Sequence, residues 1–344
     1  MEVLNKHGDL DGLVRREGLI LQGSGLDFES EGVLNPAVID HQGKIHMFYR
    51  AVSQGNRSVI GYARLGSPLE VEYRSERPLL VPEADYESQG VEDPRIVMID
   101  DEFYLTYTAY DGQHALGALA TSSDLVRFER RGLIAPKISN KEFARALRES
   151  GGAHVKYFRL DQCSPLMWDK NLMFFPTKIR GKYAFLHRLR PGIQLVLCES
   201  PYNLDREFWS RYFADFSSHI VLDPRYPHEM SYIGGGCPPI ETADGWLLIY
   251  HSVYDTMEGY VYSACAALLD LDDPTREISR LPSPLFSPVE DYEKKGEVNN
   301  VCFPTGALVQ DGRLYIYYGA ADDKIACASM ELHDLLQQLK ATRI

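Results

Sequence analysis

One phrase recurs five times along the chain, and it constrains the fold more than any other feature. Each copy has a proline, a short apolar stretch, a polar turn and an aromatic-rich run. The copies read NPAVIDHQGKIHMFYR from Asn35, DPRIVMIDDEFYLTYT from Asp93, FPTKIRGKYAFLHR from Phe175, PPIETADGWLLIYH from Pro238 and FPTGALVQDGRLYIYYG from Phe303. A strand, turn and strand unit repeated every 58 to 82 residues around the chain predicts an all-β fold, a five-bladed β-propeller with one copy per blade. Other runs, such as SVIGYARL, ALGALATS and IQLVLCES, also read as short strands.

The repeat allows equivalent positions to be compared. The residue after the last aromatic of each copy is Arg50, Thr108, Arg188, His251 or Gly319. Three of these five can carry positive charge where a buried strand ordinarily holds an apolar side chain. The residue before the proline is Asn35, Asp93, Phe175, Pro238 or Phe303, so an amide and a carboxylate stand where other copies are apolar. Radial blades would bring such positions to one central pocket.

Two helices are predicted within this β pattern. In ISNKEFARALRES, at 138–150, Ser139 or Asn140 can cap a helix with Phe143, Ala146 and Leu147 on one face. It belongs to an insertion at about 137–167, in the longest gap between copies, read as a lid or interface element. At the C-terminus Leu332, Leu335, Leu336 and Leu339 have helical spacing.

The copies run on without an intervening linker, which predicts a single domain over 1–344. A net charge of −13 excludes a broad nucleic-acid surface, so any anion site must be local. Cys163, Cys198, Cys237, Cys265, Cys302 and Cys327 form no C-x-x-C pair and are expected to be buried free thiols. Charges interrupt the first residues where a signal peptide needs an apolar core, and no apolar run is long enough to span a bilayer. The expectation is therefore a cytoplasmic protein without membrane attachment. No metal motif or nucleotide-binding glycine loop occurs.

With these residues in hand, the chain resembles glycoside hydrolase family 130, the mannoside phosphorylases and related β-mannosidases. The phrases that carry the likeness are LNPAV, MFYRAV, GVEDPRI, FFPTKIRGKYAFLHR, GGGCPPIETADGWLLIYH, AALLDLDDP and FPTGALVQDGRLYIYYGAAD, in that order. The resemblance implies a five-bladed propeller and inverting phosphorolysis: inorganic phosphate attacks a terminal β-mannoside and releases α-mannose 1-phosphate. It implies no cofactor, with phosphate as co-substrate and a mannoside oligosaccharide as partner; homo-oligomer formation is left open. Inverting hydrolysis needs both an acid and a base, whereas anionic phosphate needs an acid and a cationic cradle.

By the same resemblance Asp93 is the general acid, acting through a hydroxyl of the mannose. Asn35, Arg50 and Asp322 contact the mannose, with Asp323 an adjacent alternative. Lys170, Arg188, His251 and Tyr262 match phosphate-binding positions. Around Lys170 the chain reads Asp169-Lys170-Asn171, where phosphorylases of the family often read N-[KR]-D. Tyr86, Tyr110, Trp168 and Tyr254 are candidate platforms for sugar rings. Competing readings are a β-mannosidase that uses water, for which Glu241 is an available base, a non-catalytic sugar-binding propeller, and a furanosidase-type propeller.

Overall fold

The computed structural model describes residues 12–150, 155–158 and 165–342. The chain is predominantly β, in antiparallel units of four or five strands that follow one another in sequence. The first unit comprises Gly32–His41, Lys44–Ser53, Arg57–Ser67 and Glu70–Arg74; the second, Gly90–Ile99, Glu102–Tyr110, Ala115–Ser122 and Glu129–Leu133. These two form one eight-stranded sheet, joined only by a parallel bridge between Ser58 and Gly90. The third unit is Lys170–Phe174, Tyr183–Arg188, Ile193–Cys198 and Ile220–Leu222. In the fourth, Tyr232–Gly235 and Ile240–Thr242 both pair with Gly245–Thr256, followed by Gly259–Leu269 and Glu277–Arg280. The fifth has Cys302–Gln310, Arg313–Ala320 and Lys324–Glu331, completed by Arg15–Leu21 from the start of the chain. No sheet among the described residues closes on itself.

Five hydrophobic clusters fill the spaces between successive units. Phe48, Ile60, Leu105 and Tyr107 join the first to the second, and Tyr104, Phe174 and Phe185 the second to the third. Met173, Ile233 and Trp246 join the third to the fourth, and Leu247, Ile249, Ile316 and Tyr318 the fourth to the fifth. Val33, Met47, Tyr317 and Ile325 return the fifth unit to the first. Burying both faces of each sheet explains the near-continuous apolar runs of the sequence.

A buried polar clamp recurs in four units. A tyrosine of the second strand donates to a fully buried glutamate: Tyr49 to Glu29 at 2.8 Å, Tyr107 to Glu87 at 2.8 Å, Tyr250 to Glu229 at 2.6 Å and Tyr318 to Glu293 at 2.6 Å. Each glutamate sits on a short helical turn ahead of its unit. Each also pairs with an arginine of the outermost strand, Arg74 at 2.9 Å, Arg130 at 3.3 Å, Arg280 at 3.2 Å and Arg16 at 2.9 Å. The charges are thus matched and hydrogen-bonded, as burial requires. In the third unit His187 replaces the tyrosine, with Nδ1 2.7 Å from Asp169 Oδ2 and Nε2 2.8 Å from Tyr212 Oη.

The inserted helix spans Asn140–Glu149, and Ser139 is its cap, forming a capping box with Glu142. Phe143, Ala144 and Leu147 are buried. A second helix, Arg206–Ala214, was not anticipated; Trp209, Tyr212 and Phe213 face inward, and Phe143 meets Phe213 and Phe216 edge-on. The two helices and Tyr86 line an open cavity of about 650 Å³. The C-terminal helix Leu332–Ala341 buries Leu335 and Leu339 as the leucine spacing predicts. The five described cysteines are buried and free, while Cys163 lies outside the described residues, as does part of the 137–167 insertion. No described helix is long and apolar enough to cross a membrane.

Candidate active site

The register of the hairpins places the expected residues. Arg50, Thr108, Arg188, His251 and Gly319 stand opposite Leu34, Glu92, Lys170, Gly234 and Phe303 in the five units. The comparison of second-strand positions drawn from the repeat therefore holds. The comparison of pre-proline residues holds only for the first two units. Phe175 follows the strand Lys170–Phe174 and Pro238 lies beyond Tyr232–Gly235, while Phe303 is one step early, directly opposite Gly319. The residues that match Asn35 and Asp93 are Asn171, Gly235 and Pro304. Bulges interrupt pairing after Leu34, Glu92 and Lys170, and Asn35, Asp93 and Asn171 adopt φ of 49°, 50° and 59°. Non-glycine residues in this left-handed region are costly and cluster at functional sites.

Asn35 and Asp93 face one another: Asn35 Nδ2 donates to Asp93 Oδ1 at 2.7 Å. Arg50 lies 3.5 Å from Asp93 Oδ1 and 3.1 Å from Glu92 Oε1, and its Nε donates to Ser58 at 2.8 Å. Burial opposes the charge on Asp93. Arg50, Lys170, Arg95 and the Asn35 hydrogen bond more than offset it, holding the carboxyl below the usual carboxylate range. Asp322, half-buried with φ of 51°, belongs to the same group. Burial pushes its carboxyl up to about 6, aided by Asp93 and Glu92 and opposed by Arg50 and Lys170. Its neighbour Asp323 instead pairs with Lys324.

A cation-rich group adjoins this one. Arg188 is buried with its Nε unpartnered, its guanidinium 5.0 Å from the centre of the Tyr232 ring. Arg190 covers the same ring at 3.9 Å, and Tyr232 shares a 2.6 Å hydrogen bond with Tyr262. His251 is fully buried, and neither ring nitrogen has a partner of ordinary hydrogen-bond geometry. Burial, then Arg188, Arg95 and Arg190, push its pKa well below the usual value, so the ring is neutral. A side chain on Gly234 would strike both the His251 ring and Arg188 Cδ, so glycine there lets the two lie side by side. Burial and Arg190 lower Arg188 to about 10. A buried guanidinium with an unpartnered nitrogen, such as that of Arg188, is costly unless an anion joins it.

Lys170 opens the strand paired with the Arg188 strand and stands directly opposite Arg188. Its ammonium lies 3.8 Å from Glu92 Oε2 and 5.8 Å from the centre of the Trp168 ring. Glu92, Arg95, Asn171, Arg190 and Tyr232 were not singled out in the sequence. Arg95 is buried, donates through Nε to the Gly236 carbonyl at 2.6 Å, and leaves Nη2 unpartnered. Its position beside the EDP carboxylates was the available signal. Of the suggested platforms, Trp168 is 42 % exposed and held by the Gln113 carbonyl at 3.1 Å, whereas Tyr86 lines the distant cavity between the helices. Glu241 is exposed on its hairpin opposite Trp246.

A family model described as beta-1,4-mannooligosaccharide phosphorylase, that of glycoside hydrolase family 130, matches residues 24–341. A 1,2-beta-oligomannan phosphorylase of Thermoanaerobacter sp. (strain X514) is 33% identical over 320 residues, covering 90% of this chain and 93% of that one. A beta-1,2-mannobiose phosphorylase of Listeria innocua is 30% identical over 333 residues, covering 95% and 80%. The structure of a Listeria innocua beta-1,2-mannobiose phosphorylase bound to beta-1,2-mannobiose superposes with a TM-score of 0.74 at 24% identity, over 95% of this chain and 99% of that one. The chain belongs to glycoside hydrolase family 130 and is an enzyme acting on glycosidic bonds.

Proposed function

We propose that this enzyme phosphorolyses a terminal β-mannoside with inversion, giving α-mannose 1-phosphate, on a single-domain, five-bladed propeller. The carrying observation is the neighbourhood of two unlike groups: a carboxylate pair flanked by Arg50 and Asn35, and the buried Arg188 and His251 with the half-buried Tyr262, without an acid among them. In this reading Asp93 is the acid, and Asn35, Arg50 and Asp322 hold the mannose. Lys170, Arg188, His251 and Tyr262 receive phosphate, and Arg190, over the same tyrosine as Arg188, joins them. An inverting displacement needs nucleophile and acid on opposite faces of the sugar, which two adjoining groups can supply.

Three relatives at 30% identity or more are named for the β-1,2 linkage and one, like the family model, for β-1,4, which favours β-1,2. A hydrolytic reading also has support: a solved relative at 25% identity and TM-score 0.70 is described in the words "The GH130 family of mannoside phosphorylases contains glycoside hydrolases that target beta-1,2 mannosidic linkages in Candida mannan". Against it, the carboxylate put forward as base, Glu241, is exposed on a hairpin rather than beside His251. Incubation with β-1,2- and β-1,4-mannobiose, with and without phosphate, tests the choice. Phosphate-dependent α-mannose 1-phosphate from the β-1,2 disaccharide is expected. Free mannose released equally fast without phosphate would overturn it.

A further inference from the structure

Lys170 and Arg188 are register partners, yet the Lys170 ammonium leans toward Glu92. The Glu92 carboxylate therefore touches Arg50 with one oxygen, at 3.1 Å, and Lys170 with the other, at 3.8 Å. It is 5 % exposed, and its side chain lies against Gly90, where an added Cβ would meet Glu92 Oε1 at 3.1 Å. One buried carboxylate thus spans the cation read as sugar-binding and a cation read as phosphate-binding.

We propose that Glu92 is a positioning residue that holds Lys170 in the phosphate-free enzyme and yields it to incoming phosphate. The inference rests on the phosphorolytic reading above. The two contacts are unequal: Arg50 is also held by Asp93 and Ser58, whereas the Lys170 contact is long for an ammonium and a carboxylate. Phosphate offers Lys170 more oxygens and more charge, so the weaker contact is the one exchanged. Glu92 keeps Arg50 in place and repels the anion from the sugar side, steering it to Arg188 and His251.

The exchange also readies the acid. Asp93 is faced by Asn35 and Arg50 from the first unit, Glu92 and Arg95 from its own strand, Lys170 from the third unit and Asp322 from the fifth. Drawing Lys170 toward phosphate removes a cation from Asp93 and brings an anion nearer. Both changes favour proton uptake from solvent by a carboxyl that is ionised in the free enzyme.

Calorimetric titration of inorganic phosphate, without sugar, into wild type, Glu92→Gln, Glu92→Asp, Lys170→Met and the Glu92→Gln/Lys170→Met double variant tests this. Glu92→Gln should bind phosphate about fivefold tighter, the upper end for a partly exposed ion pair. Its KM for mannoside should rise as Arg50 loses its hold, a split that general loss of structure would not give. Glu92→Asp should stay near wild type, and Glu92→Gln should have no effect on the Lys170→Met background. Equal or weaker phosphate binding by Glu92→Gln would overturn the proposal. Absence of phosphate binding by wild type would overturn the phosphorolytic reading with it. If Glu92→Gln does not fold, wild type titrated with sulfate, which carries no titrating proton, in buffers of different ionisation enthalpy should show proton uptake. No uptake would refute the coupling.

Discussion

Replacing Gly319 with alanine should disable the enzyme through a residue that carries no chemistry. Gly319 stands in the fifth unit where Arg50, Thr108, Arg188 and His251 stand in the others, and a Cβ there would fall on Asn35 Oδ1. Its backbone is not in the left-handed region, so alanine meets no dihedral penalty and the collision alone decides the outcome. Asn35 has little room to retreat: its φ is 49°, Pro36 follows it, and its backbone nitrogen is 3.2 Å from the same Cβ. The amide must turn, and the 2.7 Å bond to Asp93 is lost. A buried hydrogen bond to a charged group is worth about 1.5–3 kcal/mol, which corresponds to about 10- to 150-fold in kcat/KM. Overpacking adds about 1–3 kcal/mol of lost stability. Steady-state phosphorolysis of β-1,2-mannobiose, followed as α-mannose 1-phosphate, gives the first quantity, and urea unfolding the second. Asn35→Ala is the comparator and should match the kinetic loss without the strain. A folded Gly319→Ala enzyme within about twofold of wild type, beside a strongly impaired Asn35→Ala, would refute the reasoning.

Asp93→Asn should lower turnover by about 10²- to 10⁴-fold with folding intact, the usual loss for a general acid; a near-normal rate on the disaccharide would place the acid elsewhere. Arg188→Ala should raise the KM for phosphate far more than that for mannoside, measured by varying each substrate in turn. Glu229→Ala should cost about 1–3 kcal/mol in urea unfolding, because Tyr250 and the Arg225 and Tyr226 amides lose a buried acceptor while Arg280 keeps Glu277. Stability should also fall as pH drops from about 7 toward 5. The unfolded chain protonates His251 near its ordinary 6.5, and the folded protein does not. Stability from this group is therefore complete above 6.5 and lost below it, by at most about 1.4 kcal/mol per pH unit. His251→Asn should flatten that slope when unfolding is compared at the two pH values.

Much of the fold was legible because strand pairs leave an alternating, aromatic-rich signature that recurs. The aromatic runs IHMFYR, FYLTYT, WLLIYH and LYIYYG of the repeated phrase all lie on second strands. The register of first strands was less legible. Proline marks the bulge at Asn35-Pro36 and Asp93-Pro94, but in the third unit Asn171-Leu172 makes the same bulge without proline, and Pro176 lies beyond the strand's end. Aligning on proline therefore hid Asn171. The helix Arg206–Ala214 escaped because its aromatic content resembles the surrounding strands, although Asp205 as cap and Trp209, Tyr212, Phe213 and Phe216 at helical spacing mark it. Arg190 and Tyr232 escaped because stacking between units is not written in either local sequence.

The clamp and the candidate site share one strand, and their separation follows from the period of two. On every second strand a clamp residue precedes a site residue: Tyr49 and Arg50, Tyr107 and Thr108, His187 and Arg188, Tyr250 and His251, Tyr318 and Gly319. Successive side chains of a strand point to opposite faces, so the first of each pair can be nearly invariant while the second diverges freely. Tyrosine at the first position meets a buried glutamate and an arginine from the outer strand, which fixes the second strand from behind. The third unit gives up this clamp for Asp169, His187 and Tyr212, and there Lys170 follows Asp169 directly. A residue that anchors His187 is thus bonded to one read as receiving phosphate. The unit that departs most from the repeat on its structural face also carries Lys170 and Arg188, both read as part of the phosphate cradle, along with Arg190.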